Sequence, residues 1–125
     1  MKQLDIPIIQ SSYKFYLELQ SYQKQISKNT RYTLWKKCEN CSLRILEMLI
    51  QAGYLNQKQR LNQLITISAQ IDMLRIFLRL AFDTKVFNQK KHIEFLTSLD
   101  EIGRMLGGWL KSIKKETEVP EDSQR

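Results

Sequence analysis

Glycine and proline are scarce, with four and two residues in a chain of 125, roughly 5% of the total where about 12% is ordinary. Turns must therefore be few, which excludes a strand-rich sandwich or barrel that needs such residues at every corner. Valine occurs only at Val86 and Val119, against seventeen leucines. The aliphatic content is thus of the kind that loses little rotamer freedom in a helix. No apolar run approaches the roughly 20 residues that span a bilayer. The opening MKQLDIPIIQSS has no long apolar stretch or small-residue cleavage site of a secretory signal. A soluble, cytoplasmic protein with no membrane partner is expected.

Histidine and cysteine are equally sparse, and their placement weighs against an enzyme. A structural zinc takes four ligands, whereas the chain holds Cys38, Cys41 and a distant His92. A redox Cys-x-x-Cys expects a βαβ setting, but Cys38 and Cys41 fall on the apolar stripe of a helical pattern. They are expected to be small, reduced core residues. Carboxylate-bridged metal bundles need Glu-x-x-His pairs, and the residue three before His92 is Gln89. No serine or cysteine has a neighbour that marks it as a nucleophile. Neither a metal nor a cofactor is expected.

What the chain does have is helical periodicity. Four segments place apolar residues at alternating three- and four-residue steps. The first follows Pro7, which suits a first helical turn, and aligns Ile8, Ser12, Phe15, Leu19, Tyr22 and Ile26. The polar run Ser27 to Thr30 then supplies capping oxygens. A second helix over about 29–53 aligns Leu34, Cys38, Cys41, Ile45, Met48 and Ala52, with Gly53 as its left-handed terminator. Asn56 is placed as N-cap of the third, with Gln59 three residues on; its stripe is Leu64, Ile67, Ile71, Leu74, Leu78 and Ala81. Asn88 caps a fourth, which carries Phe95, Leu99, Ile102, Leu106, Trp109 and Ile113. Long helices joined by short loops become antiparallel neighbours. The fold class is therefore all-α, an antiparallel up-down-up-down four-helix bundle over residues 1–115. A flexible acidic tail is expected over 116–125, which holds Glu116, Glu118, Glu121 and Asp122.

The net charge is +7, and residues 1–115 alone carry +10. Such a body attracts polyanions through counterion release. Within an otherwise apolar stretch of the third helix, Asp72, Arg75, Arg79 and Asp83 share one face, where Asp72 reaches Arg75 and Asp83 reaches Arg79. Two arginines among apolar residues are costly to bury and belong in a wet groove or an interface. With Arg31, Lys36, Lys37 and Arg44 on the second helix and Arg104, Lys111, Lys114 and Lys115 on the fourth, they form a candidate phosphate-tracking surface. Tyr13, Tyr16, Tyr32, Trp35 and Tyr54 are candidates to stack on unpaired bases.

Two helices carry more apolar surface than one core uses. In the third, Met73, Ile76, Phe77, Leu80 and Phe82 stand beside the core stripe, and a helix apolar on two sides is buried on two sides. In the fourth, Gly103, Gly107 and Gly108 lie inside the helical pattern next to Trp109, each costing about 1 kcal/mol relative to alanine unless a close approach offsets it. Without the Lys-Ser/Thr ending and preceding strand of a phosphate loop, this cluster points to helix packing. Gly103, Gly107, Gly108, Trp109, Phe77 and Leu80 are the candidate packing and self-association residues.

The run IDMLRIFLRLA at 71–81 and the run EIGRMLGGWLKSI at 101–113 together resemble the accessory variability determinant (Avd) proteins of bacterial diversity-generating retroelements. A looser likeness continues upstream through SKNTRYTL at 27–34. The resemblance implies a non-catalytic four-helix bundle that assembles into a basic, barrel-shaped pentamer. It also implies that the protein binds RNA and DNA and associates with the retroelement's reverse transcriptase during mutagenic copying of template RNA into cDNA. Arg75 and Arg79 match the paired arginines of the third-helix signature, and Gly103, Gly107, Gly108 and Trp109 match the fourth. The acidic end departs from what a basic family would suggest. The alternative is a structural bundle protein of the type encoded in intervening sequences of ribosomal RNA genes, which is less similar at both signatures.

Overall fold

The computed structural model describes residues 5–123, with side chains through 116. Helix α1 spans Ile6–Tyr22 and runs into a 3-10 turn at Gln23–Gln25; α2 is the short Lys28–Tyr32; α3 spans Leu34–Ala52, α4 Gln57–Asp83 and α5 Gln89–Ser123. Asp5 caps α1, its side chain accepting from the Ile8 amide at 3.3 Å, with Pro7 in the first turn where its missing N–H costs nothing. Asn56 accepts from the Gln59 amide and Asn88 from the Lys91 amide, both at 2.9 Å, so the two sequence-assigned N-caps hold.

The long helices α1, α3, α4 and α5 form the bundle, and side-chain bonds fix their directions. The Cys41 thiol donates to the Gln70 carbonyl and the Gln63 amide to the Met48 carbonyl, so positions rise along α3 as they fall along α4. The same reversal links α1 to α5 through Ser11 with Met105 and Glu18 with Ser98, and α4 to α5 through Arg75 with Asp100 and Gln57 with Ile113. Round the bundle the order is α1, α3, α4, α5, with α5 returning to α1. This is an antiparallel up-down-up-down arrangement.

The core is the set of stripes the periodicity implies: Ile8, Phe15 and Leu19 from α1, Cys38, Ile45 and Ala52 from α3, the six α4 positions, and Phe95, Leu99, Ile102, Leu106 and Ile113 from α5 are all buried. Trp109, Tyr22 and Leu34 are half-buried against it. Trp35 is wholly buried, its indole N–H donating to the Leu19 carbonyl at 3.0 Å, in an aromatic cluster with Tyr22, Phe87 and Phe95. It therefore cannot stack on a base, because its ring is already packed between helices.

Two sequence expectations change. The second helix is not continuous: at Thr33, φ −114° and ψ −95° break it into α2 and α3. The Thr33 hydroxyl donates to the Asn29 carbonyl, a local bond that competes with the helical ladder. Gly53 is not left-handed, since its φ is −65°. Helix α3 instead unwinds through successive i to i−3 bonds from Gly53, Tyr54 and Leu55, and the guanidinium of Arg60, only 5% exposed, covers its end. That guanidinium donates to the carbonyls of Ala52 at 2.8 Å and Leu55 at 2.7 Å. The left-handed residue is Lys85 (φ 64°), after α4. There Lys85 N–H reaches Phe82 and Val86 N–H reaches Ala81, the paired bonds of a Schellman end. The backbone of α5 continues as helix to Ser123; the expectation of a flexible acidic tail concerns side chains that, beyond the exposed Glu116, lie outside those described.

Candidate nucleic-acid interface

Of the predicted contact residues, Arg44, Arg75, Arg79 and Arg104 are ion-paired, Arg44 with Glu47 at 2.8 Å. Arg75 donates through Nη1 to Asp72 at 2.7 Å and through Nε to Asp100 at 3.0 Å, so it ties α4 to α5 as well as to its own helix. Arg79 donates to Asp83 at 3.0 Å. Arg104 pairs with Glu101 and holds that carboxyl below the usual carboxylate range. The ladder read from the sequence is thus present, with Asp100 as an extra rung that no single-helix spacing could reveal. The Arg79 and Arg104 side chains are about two-thirds exposed, so their pairs contribute little to stability and can open to a phosphate. Arg75, at 35% exposure and bridged to two carboxylates, serves the α4–α5 contact first.

Lys36, Lys37, Lys111 and Lys114 are all exposed, and none makes a salt bridge among the described residues. The structure does not bring them together. Lys36 and Lys37 follow the start of α3, at the end of the bundle where α1 and α4 finish and α5 begins. Lys111 and Lys114 lie on α5 beside the start of α4, where Gln57 reaches Ile113, at the opposite end.

The folded chain gathers its charge at the first of these ends. The segments 20–38 and 79–93 meet there through the contacts of Phe87 with Tyr22 and Trp35. Together they contain Lys24, Lys28, Arg31, Lys36 and Lys37, then Arg79, Lys85, Lys90 and Lys91, against Asp83 as their one acidic residue. Just outside these segments stand Glu94, ion-paired to Lys91 at 3.4 Å, and the buried Glu39 beside Lys36, so this end of the molecule keeps a clear excess of cations with some of them already answered. Lys24, Lys28, Lys85, Lys90 and Lys91 were missed because they do not share a helical stripe with the others. The signal that reveals them is the absence of Asp and Glu over 20–38, taken together with the antiparallel topology.

The candidate self-association residues also separate. A Cβ on Gly103 would stand 3.1 Å from the Arg75 guanidinium, so this glycine makes room for the α4–α5 ion pair. Gly107 and Gly108 are exposed and would meet nothing within 4 Å. Phe77 and Trp109 are half-buried against the core. Leu80 is 47% exposed and belongs to an outward stripe with Ile65, Met73 and Ile76.

Cys38 and Cys41 are free and buried, and burial pushes the Cys38 thiol up to about 12. Such a thiol is neither a ready ligand nor a nucleophile. No group of three His, Cys, Asp or Glu among the described residues is placed to hold a metal ion, and none of their helices is long and apolar enough to cross a membrane.

Comparison with known proteins matches residues 8–113 to the bAvd-like family model. The chain belongs to the bAvd-like family. The match runs from Ile8 in the first turn of α1 through α3 and α4 to Ile113, the last buried residue of α5 among the described side chains, and stops before the acidic segment. No curated protein matches the chain.

Proposed function

We propose that this bAvd-like protein is a non-catalytic accessory factor of a diversity-generating retroelement. It self-associates, binds template RNA or its cDNA, and docks with the retroelement's reverse transcriptase. The observation that carries the binding part is the concentration of nine cations at a single end of the bundle, of which Arg79 and Lys91 are paired with Asp83 and Glu94. A surface of that kind neutralises several phosphates at once and gains affinity by releasing their counterions. Family membership supports the retroelement context and the polymerase partner.

Self-association is supported by two apolar patches on different faces. One is the α4 stripe of Ile65, Met73, Ile76 and Leu80; the other is the exposed pair Leu43 and Ile50, seven residues apart on one face of α3. Two unlike patches suit a head-to-tail contact, which closes into a ring when the rotation allows, as the pentamer implied by the Avd resemblance does. Gly107 and Gly108 on α5 offer an unobstructed backbone for a second copy to approach closely.

Sedimentation of the purified protein in the presence and absence of a single-stranded RNA tests both parts. The expected result is an oligomer that binds RNA with an affinity falling steeply as salt rises, and that Ile76→Glu dissociates. A monomer whose RNA binding is absent or insensitive to salt contradicts the proposal.

A further inference from the structure

Within the basic end lies a recess of about 590 Å³ lined by Phe82, Asp83, Lys85, Phe87 and Asn88. It forms where α4 stops and α5 starts, and the Schellman turn shapes it: the left-handed Lys85 reverses the chain so that the rings before and after it converge. Behind Phe82 lies His92, stacked at 4.7 Å and 15° between planes, with Phe87 5.7 Å away. Although His92 is only 7% exposed, its buried Nε2 has no hydrogen-bond partner. Burial and the nearby Arg79 hold its pKa below the ordinary value, so the ring is neutral at physiological pH and extends an aromatic wall without adding a charge.

The polar rim has capacity to spare. Asp83 uses Oδ1 for Arg79, and Asn88 uses Oδ1 for the Lys91 amide. The second carboxylate oxygen and the amide N–H₂ make no described bond, so an acceptor and a donor stand at the mouth of an aromatic recess. Lys85 is exposed beside them. Stacking surface, edge-recognising polar atoms and surrounding cations are what an unpaired base on a charged backbone requires.

We propose that this recess takes an unpaired nucleobase of a single-stranded polynucleotide, its ring against the half-buried Phe82, with the buried Phe87 in the recess wall and the base's flanking phosphates on the lysines of the basic end. The inference rests on the nucleic-acid reading above and deepens it: the protein selects single strands over duplexes. A duplex carries the denser charge and keeps its bases stacked, so electrostatics alone favours the opposite order. RNA and DNA serve equally, because the recess reads the base and not the sugar.

The test uses the full chain with a 12-nucleotide single strand carrying one 2-aminopurine, and with the same strand annealed to its complement. The single strand is expected to bind at least tenfold more tightly than the duplex at equal salt, with quenching of the 2-aminopurine. Phe82→Leu, which keeps the half-buried position apolar, is expected to weaken single-strand binding about tenfold and to leave duplex binding unchanged. Lys85→Gly, which removes a cation where glycine is the easier residue, guards against a folding artefact by weakening binding without loss of thermal stability. Equal affinity for both forms with no change in fluorescence, while salt-dependent binding persists, overturns the recess and leaves the nucleic-acid reading standing. No salt-dependent binding to either form overturns both. Displacement of the strand by adenosine monophosphate at equal concentration overturns the assignment to a polynucleotide in favour of a free nucleotide.

Discussion

Three residues depart from the roles their types ordinarily play, and each gives a measurable consequence. Lys85 holds a left-handed conformation that glycine adopts without steric cost. Lys85→Gly is expected to raise unfolding stability by about 1 kcal/mol, read from the urea midpoint at an unchanged slope. Arg60 is buried and covers the carbonyl end of α3. Its truncation leaves those acceptors without a donor, so Arg60→Met is expected to cost about 3 kcal/mol, measured the same way. Arg60 lies four residues before Leu64, in register with the α4 core stripe. The periodicity therefore contained the signal for its burial, which its charge obscured.

Glu39 is buried with Oε2 unpartnered, and burial raises its carboxyl above the ordinary glutamate range while Lys36 opposes the rise. A raised folded-state pKa means that the stability contributed by proton binding is present below the unfolded value and lost as pH rises through the folded one. Glu39→Gln cannot ionise and should escape that loss. Melting temperatures of the parent and the variant are expected to diverge in the variant's favour as pH rises from about 4.5, and parallel curves would contradict the assignment.

At the scale of elements, much was legible before folding because a helix writes its buried face into the sequence at fixed intervals. Asn56 and Asn88 as caps and the α4 stripe from Leu64 to Ala81 follow from that rule. The break at Thr33 was not legible, because it arises from a side-chain bond that competes with the ladder and leaves the apolar spacing intact. The position of the left-handed residue was also hidden, since glycine at 53 drew the assignment that the geometry gives to Lys85. The glycines of α5 show how little spacing says about purpose. Gly103 fits the Arg75 guanidinium within the chain, whereas Gly107 and Gly108 face open space. In an isolated chain, each uncompensated helical glycine costs about 1 kcal/mol relative to alanine. The double variant Gly107→Ala with Gly108→Ala is therefore expected to raise the stability of the monomer by about 2 kcal/mol while weakening self-association, read by thermal unfolding and sedimentation. A variant that assembles as well as the parent would remove these glycines from the contact.

For the whole molecule, the sequence showed that the body is basic but not where the charge collects. The arginines that stood out along α4 are answered by Asp72, Asp100 and Asp83, and Arg104 on α5 is answered by Glu101. The cations that gather were scattered through two loops and three helix ends, and only the antiparallel packing unites them. Lys111 and Lys114, equally basic in the sequence, fall at the far end beside Glu116. The central claim is that phosphate chains engage the end built by 20–38 and 79–93. Comparing RNA affinity against salt for two triple variants tests it most directly: Lys24, Lys28 and Lys90 to Glu at that end, and Lys111, Lys114 and Lys115 to Glu at the other. The account predicts that the first variant loses most of the affinity and flattens the salt dependence by about two units of slope, while the second remains within a few-fold of the parent. Loss of binding in the second with retention in the first would contradict it.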